Sequence, residues 1–456
     1  MRIAVIGAGV IGVTTAYELA ASDHEVTVYE ARSSAASGTS FANAGVVSPG
    51  YAAPWATPGM PGKVLHGFMQ DHAAVRIAGV GGPRLWSWLW HWWRACDAHG
   101  YALRRRRMLD LAHASQARLR ELTATLDLSW ERRRGLLVLL RGDDDVERAR
   151  PQIDAMTNLG LAVKLIDANA CRALEPGLNV QTPLAAGLHW PDDDIGNCRQ
   201  FTLQLLDHAV ARGVTLCTRH EVRALRPDAR GVTLDIDAGA AREAHAAVSR
   251  IVYPEGDRRA PGAGPRDPAS SEARFDAAVV CAGTASTRLL RGIGVRVPLM
   301  AVHGYSITAP LRAQADPLVE HAPRAGLMDE AYKVAITRIG DRLRVAGSAE
   351  LGGPEDRLSP RALATLYKVL QDWFPSAVRH EMAVPWKGAR PMLPDGPPVI
   401  GPTHHARVWL NLGHGSSGWA LACGSARLLG ELIGGRAPSI DARGFSIDRA
   451  VRRSSA

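Results

Sequence analysis

The apolar and polar positions fall into pattern from the second residue. Residues 3–6 are a short apolar run, 7–12 a glycine turn, 13–21 a helical stretch, and 25–30 alternates as a second strand. That order reads as a βαβ unit. Residues 38–62, rich in Gly, Ala, Ser and Pro, predict mostly loop. Further along, 83–126 predicts helix, 134–141 an apolar strand, 146–159 a helix, and 201–212 a helix leading into a strand at 213–216. Residues 221–225, a Pro227-Asp228 turn and 232–236 form a hairpin pattern. The strand at 277–281 runs into Ala282-Gly283. Residues 301–308 and 332–348 alternate as strands, 360–373 predicts a helix, and 386–401 a Pro- and Gly-rich strand-turn. The chain then offers a strand at 408–412, a glycine loop at 413–418 and a helix at 419–430.

Residues 237–275 break this rhythm. Seven of the fifteen residues from 254 to 268 are Gly or Pro, which predicts a flexible surface insertion over 237–269. No internal repeat is visible.

With 456 residues, of which 46 % are hydrophobic and 22 % charged, the chain can build two or three domains with real cores. These values exclude a disordered chain, a collagen-like fibre and a coiled coil. No apolar run reaches the roughly 18 residues of a spanning helix, and no secretory signal is expected at the N-terminus. The six cysteines are scattered, without C-x-x-C pairs or zinc spacing, which suits a reducing compartment and predicts neither a disulfide nor a metal site. The net charge of +9 fits a solvated basic surface, an anionic membrane surface or a nucleic acid. The arginines are dispersed and no nucleic-acid-binding motif is present, so a nucleic-acid partner is not expected.

Gly7-Ala8-Gly9-Val10-Ile11-Gly12 matches G-x-G-x-x-G. The first glycine permits the tight turn, the second lets a pyrophosphate approach the backbone, and the third lets helix and strand pack closely. Phosphates would then lie at a helix N-terminus, where free N–H groups and the dipole favour anions. Glu30 stands 18 residues beyond Gly12, at the end of the second strand, where a carboxylate accepts from ribose hydroxyls. The alternative is a glycine-rich packing turn. A nicotinamide enzyme would continue with more βα units. Here Ser37-Gly38-Thr39-Ser40-Phe41-Ala42-Asn43-Ala44-Gly45 follows, and its small residues and carboxamide suit a loop against phosphates and a flavin ring. The 413–418 loop offers a second set of N–H groups for the flavin N1–C2 carbonyl, unless its glycines are purely structural.

The N-terminal fingerprint is joined, in order, by Ser48-Pro49-Gly50-Tyr51-Ala52-Ala53-Pro54-Trp55, His303-Gly304-Tyr305-Ser306, Tyr332-Lys333-Val334-Ala335-Ile336-Thr337-Arg338, Arg390-Pro391-Met392-Leu393-Pro394-Asp395-Gly396 and Gly413-His414-Gly415. Together these resemble the bacterial D-amino acid dehydrogenase small subunit, within the D-amino acid oxidase/glycine oxidase group of flavoproteins. The resemblance runs over nearly the whole chain, although the 237–275 insertion is longer than the family leads one to expect.

The resemblance implies an α/β fold: a Rossmann-like FAD-binding domain interleaved with an α+β, mostly antiparallel-sheet substrate domain. The expected boundaries are 1–75, 150–236, 270–300 and 386–450 for the FAD domain, and 76–149 and 301–385 for the substrate domain. It also implies non-covalent FAD, oxidative deamination of D-amino acids such as D-alanine to 2-oxo acids and ammonia, and electrons passed to a quinone or other acceptor. Expected cofactor residues are Ile3, Ala4, Val5, Ile6, Gly7, Ala8, Gly9, Val10, Ile11, Gly12, Val13, Glu30, Arg32, Ser40, Asn43, Ala44, Gly45, Val222, Ala282, Gly283, Gly413, His414, Gly415 and Gly418. Arg390 falls where related amine oxidases hold the substrate carboxylate; Tyr305 is a second candidate for that carboxylate, and Tyr332 for the pocket wall. Alternatives are secondary amines such as D-hydroxyproline or sarcosine, dioxygen as acceptor, or a flavin-binding scaffold without catalysis.

Hydride loss from Cα to flavin N5 needs orientation more than a protein base, and a planar guanidinium grips a carboxylate through two bonds. Lys333 and Arg338 alternate with apolar residues and read as solvent-face charges. Asp192-Asp193-Asp194 on an extended chain cannot converge on a metal, and reads as a solvated loop before the helix at 201. Trp86, Leu89, Trp90 and Trp93 share one helical face, Trp88 and Trp92 another, ahead of Arg104-Arg105-Arg106-Arg107. That composition fits either a peripheral contact on the cytoplasmic side of the inner membrane or a buried aromatic helix with a basic end.

Overall fold

The computed structural model describes residues 1–67, 72–78, 82–158, 162–239, 270–312 and 321–451. Most of the expected insertion lies outside the described residues.

The opening strand, Arg2–Ile6, pairs in parallel with Glu25–Glu30 on one side and Ala277–Val280 on the other. Thr215–Thr218 extends this sheet beyond Glu25–Glu30, and Val408–Leu412 extends it beyond Ala277–Val280. Val399–Pro402 closes the far edge antiparallel. The central strand is buried on both faces, as its unbroken Ile-Ala-Val-Ile run requires. One face packs on the helices Val10–Ala20, Cys198–Ala211 and Gly418–Ile433. The other packs on a three-stranded antiparallel sheet, His220–Pro227, Val232–Ala238 and Ser270–Phe275, through Val222, Leu234 and Phe275. The result is three layers around two cores.

A second, ten-stranded sheet carries the rest of the chain. From one edge it runs antiparallel through Val384–Met392, Met300–Pro310, Arg342–Gly352 and Val334–Ile339. The helix Pro360–Trp373, started by the Ser359 side chain on the Ala362 N–H, covers one face of it.

Sheet membership moves the expected domain boundaries. Lys164–Asp167, Ala186–Ile195 and Val384–Met392 belong to the larger sheet. The long helix Ala98–Thr125, expected in the substrate domain, packs against Gly418–Ile433 in the nucleotide core, burying Met108, Leu111 and Leu119. Both differences concern partners distant in sequence, which local periodicity does not encode.

The three aspartates are not a solvated loop. They lie in the strand Ala186–Ile195. Asp194 is fully buried between Arg120 at 3.0 Å and Arg132 at 2.7 Å. Asp193 is buried against the Ser48 hydroxyl. Asp192 reaches Arg134 at the surface, 2.8 Å away. The alternation of a strand sends neighbouring carboxylates to different partners.

Candidate active site

The glycine turn sits at the carboxyl end of the central strand, where open α/β sheets bind ligands. A Cβ on Gly7 would lie 2.7 Å from the Cys281 carbonyl oxygen, and one on Gly12 would overlap the Gly7 carbonyl. Backbone therefore approaches backbone at both positions, and only glycine allows it. The helix that follows has no acidic residue in its first turn. Its Val10 N–H is held by Ser40 Oγ at 3.0 Å, which draws the 38–45 loop over the turn. Glu30 accepts from the Ala8 N–H at 2.8 Å and the Arg32 N–H at 3.0 Å, so its carboxylate is fixed beside the turn.

A continuous cavity of about 1730 Å³ runs from this turn into the second sheet. A single ligand pocket is typically about 300–1,000 Å³. Ile6, Gly7, Gly9, Val10, Ile11, Glu30, Arg32, Ser40, Asn43, Ala44 and Gly45 line it. So do Val222, Ala282, Gly283, Gly413, His414, Gly415 and Gly418. Ile3, Ala4, Val5 and Val13 do not: they are core side chains with no exposed surface, and they hold the turn from behind. Ala8 and Gly12 also stay off the wall, Ala8 serving through its N–H and Gly12 through close packing.

After the parallel strand Val408–Leu412 of the same sheet, Gly413 and Gly415 adopt positive φ and turn the chain into Gly418–Ile433, whose first turn also lacks an acidic residue. His414 is buried between them, its Nε2 2.9 Å from Ser425 Oγ. Ser425 donates its proton to the Leu421 carbonyl at 2.8 Å, so the imidazole donates from Nε2 and keeps Nδ1 unprotonated. Burial pushes this imidazole down to about 3, so it is neutral at ordinary pH. Two glycine-bounded turns, two helix starts free of acid and a clamped carboxylate at one end of the cavity fit a dinucleotide bearing a second ring system.

The strand Val384–Met392 brings Arg390 to the same cavity. Its Nη1 donates to the Ser348 carbonyl at 2.9 Å. No carboxylate among the described residues pairs with it. Arg390 is half-buried, and desolvation lowers its pKa to about 10, still far above neutrality, so the cavity wall carries a cation. The guanidinium lies over Gly304 of the neighbouring strand, where a Cβ would come within 2.5 Å of Cζ.

Tyr305 turns away from that cation. It follows Gly304 and so takes the opposite face of the strand, packing in the core beneath Pro360–Trp373. Its hydroxyl donates to Glu350 at 2.9 Å, which Lys387 approaches at 3.5 Å. Tyr305 still borders the cavity, with its hydroxyl committed to Glu350. Tyr332, expected on the pocket wall, differs. It is absent from the cavity wall and stands behind it, under the Arg141 guanidinium at 4.9 Å.

Lys333, read from the sequence as a solvent-face charge, lies on the cavity wall with a φ of 52°. It is ion-paired to Glu330 and sits beside Tyr51, whose phenol burial pushes up to about 12. Arg344 was not singled out. It is buried within the larger sheet, donating to Thr308 Oγ1 at 3.0 Å and to the Asn43 carbonyl at 3.1 Å, and so holds the cofactor-side loop from below. No periodicity marks Arg344, because both faces of its strand are covered.

The FAD dependent oxidoreductase family profile matches residues 2–432. A D-amino acid dehydrogenase of Bradyrhizobium diazoefficiens is 37 % identical over 455 residues, covering 99 % of this chain and 100 % of the relative. One from Rhizorhabdus wittichii is 40 % identical over 451 residues, covering 98 % and 100 %. Among solved structures, glycine oxidase from Geobacillus kaustophilus superposes with a TM-score of 0.71 at 19 % identity, covering 99 % of each chain. L-proline dehydrogenase from P. horikoshii gives 0.67 at 16 %, covering 99 % of this chain and 98 % of that one. The fingerprint turn, the loop it holds and the long-range agreement with these relatives lead to one statement: the chain belongs to the FAD-dependent oxidoreductase family and shares its full length with that family's D-amino acid dehydrogenases.

Proposed function

We propose that this protein oxidises D-amino acids, D-alanine among them, to 2-oxo acids and ammonia, and passes the electrons to a membrane quinone. The observation that carries the reading is Arg390, a half-buried cation with no carboxylate partner among the described residues, facing the cavity that the dinucleotide turn opens into. A substrate carboxylate supplies the missing charge, and two parallel N–H···O bonds fix the rotation about Cα. Gly7, Gly9 and the start of Val10–Ala20 would hold the pyrophosphate, Glu30 the ribose, and Ser40 to Gly45 with Gly413 to Gly418 the ring system. FAD, when bound, supplies the two-electron acceptor for the hydride leaving Cα. The protein's share is orientation and exclusion of water, and neutral His414 adds polarity without charge beside the ring. The amine must be deprotonated for hydride loss, so turnover rises with pH through the bound substrate's ionisation.

The membrane contact falls to the helix Pro83–Arg94. Trp86, Trp90 and Trp93 are 56 %, 54 % and 53 % exposed, whereas Trp88 and Trp92 are buried. The helix contains Arg84, His91 and Arg94 and no acidic residue. A tryptophan face with basic flanks suits an anionic lipid surface. No helix among the described residues is long and apolar enough to cross a membrane, so the contact is peripheral.

The test is the visible spectrum of the holoprotein under anaerobic conditions, with D-alanine, L-alanine and D-proline added in turn. Bleaching by D-alanine and not by L-alanine is expected. Bleaching by D-proline alone moves the assignment to secondary amines, and no bleaching by any amine leaves only the flavin-binding scaffold.

A further inference from the structure

The cavity does not end at Arg390. The Ser348 carbonyl holds the guanidinium, and the next residue, Ala349, pairs with Val75 of the short strand Val75–Ala78. From there the wall becomes apolar: Trp55, Val64, Ile77, Trp88, Leu89 and Trp92 line a continuation of the same space. Trp88 is fixed there by its Nε1 on the Met392 carbonyl, 3.3 Å away and two residues beyond Arg390. Trp88 and Trp92 lie on the buried side of the helix Pro83–Arg94 and Trp90 and Trp93 on its exposed side, their ring centroids 5.1 Å apart; Leu89, grouped by periodicity with the exposed tryptophans, is half-buried at the boundary and reaches the cavity.

One helix therefore has two apolar faces, one toward the solvent and one toward the redox cavity. A core that includes Leu85, Val302, Leu351 and Met392 buries Trp88 and Trp92, but Trp55, Val64, Ile77 and Leu89 at its edge are only partly buried and border open space of the cavity. We infer that this apolar arm is the binding site of a lipophilic quinone, which reaches the reaction centre from the membrane surface beneath the tryptophan helix. This rests on the proposed quinone acceptor and adds where that acceptor binds. The alternative occupant is a large apolar substrate side chain. The quinone is favoured because the arm's wall and the lipid-type surface are opposite faces of one helix, and because basic residues flank that surface.

The overall step balances with the quinone as oxidant. One D-amino acid zwitterion, one water and one quinone give one 2-oxo acid, one ammonium ion and one quinol. The Cα–H bond breaks and its electron pair ends on the quinone, which takes up two protons. The imine formed from the substrate is hydrolysed by the water.

The arm is tested with Leu89→Glu, which places a charge on its wall, and Ile77→Asn as a milder change on the facing strand. The probe is decylubiquinone, read in the holoprotein by quenching of tryptophan fluorescence and by reduction rate, with ferricyanide as soluble acceptor. The native protein should show saturable quenching and should reduce the quinone. Both variants should weaken quenching and raise the quinone KM by about tenfold or more, while D-alanine still bleaches the flavin at the native rate. Native-like quenching and KM in both variants would overturn the arm and leave the quinone acceptor standing. A native protein that neither binds nor reduces the quinone would remove the acceptor reading, and the arm with it. A change in the ratio of D-phenylalanine to D-alanine oxidation, with quinone binding intact, would assign the arm to the substrate side chain instead.

Discussion

The guanidinium of Arg390 lies across Gly304, on the strand paired with its own, in the space a side chain at 304 would fill. The anchor thus depends on a glycine 86 positions away in sequence. Gly304→Ala should displace Arg390 without emptying the FAD site. The expected result is a KM for D-alanine raised about tenfold or more, roughly the 1.4 kcal/mol of one weakened charged contact, with flavin content unchanged. Steady-state kinetics beside an absorbance ratio checks this.

Arg390→Met should lower kcat/KM for D-alanine by about 10²-fold or more, about 3 kcal/mol, as expected when a charge-assisted pair is removed. Arg390→Lys should recover only part, because an ammonium cannot make the bidentate contact. A kcat/KM within twofold of native in the Met variant would show that the carboxylate binds elsewhere.

Glu30→Gln keeps the size and loses the charge that accepts from the Ala8 and Arg32 amides. The amide can satisfy one of them and faces the other with its own N–H. FAD should bind about tenfold more weakly, measured by fluorescence titration of the apoprotein.

Asp193 gives the protein a pH signature. Burial lifts its carboxyl to about 7, against the lowering effect of Ser48, from an ordinary value near 4. Between those limits the folded state keeps a proton that the unfolded chain has lost, so this group's contribution to stability falls as pH rises. It is complete below about pH 4 and lost by about pH 7, at up to roughly 4 kcal/mol. Asp193→Asn removes the titration, so its Tm should drop less than that of the native protein between pH 5 and pH 8. Parallel Tm curves for the two proteins would place the Asp193 proton elsewhere.

Trp90→Ser with Trp93→Ser should release the protein from anionic vesicles, at roughly 1–2 kcal/mol per tryptophan, while leaving D-alanine oxidation with ferricyanide unchanged. Unchanged sedimentation with the vesicles would exclude this face from lipid contact.

Local chemistry was legible along the chain where a residue's role depends on its near neighbours. The turn at Gly7, the carboxylate at Glu30 and the helix Pro360–Trp373 follow from spacing, caps and periodicity, and they lie where those rules put them. Arg390 was reached through resemblance, and its position at the cavity could not come from periodicity. The Tyr305 hydroxyl meets Glu350 because the face of a strand depends on register, and one residue of register reverses it; Tyr332 lies in the turn between Gly326–Asp329 and Val334–Ile339, where strand alternation sets no face. The aspartates at 192–194 read as a solvated loop, and Arg344 carries no sequence signal, for a related reason. A polar residue in a fully covered strand looks solvent-facing until its partners, such as Arg120 for Asp194 or Asn43 for Arg344, arrive from elsewhere in the chain.

The order of the parallel sheet sets a schedule for making this protein. Arg2–Ile6 is the central strand, yet one neighbour is Ala277–Val280, and that strand's next neighbour is Val408–Leu412. A ribosome adding about 5–20 residues per second delivers the first glycine turn roughly 20–80 seconds before the strand that completes the sheet behind it. During that interval the turn has no rear wall and Gly413–Gly418 does not exist. FAD can therefore lock in only near the end of synthesis, and truncation before residue 408 leaves a chain with the fingerprint and no site.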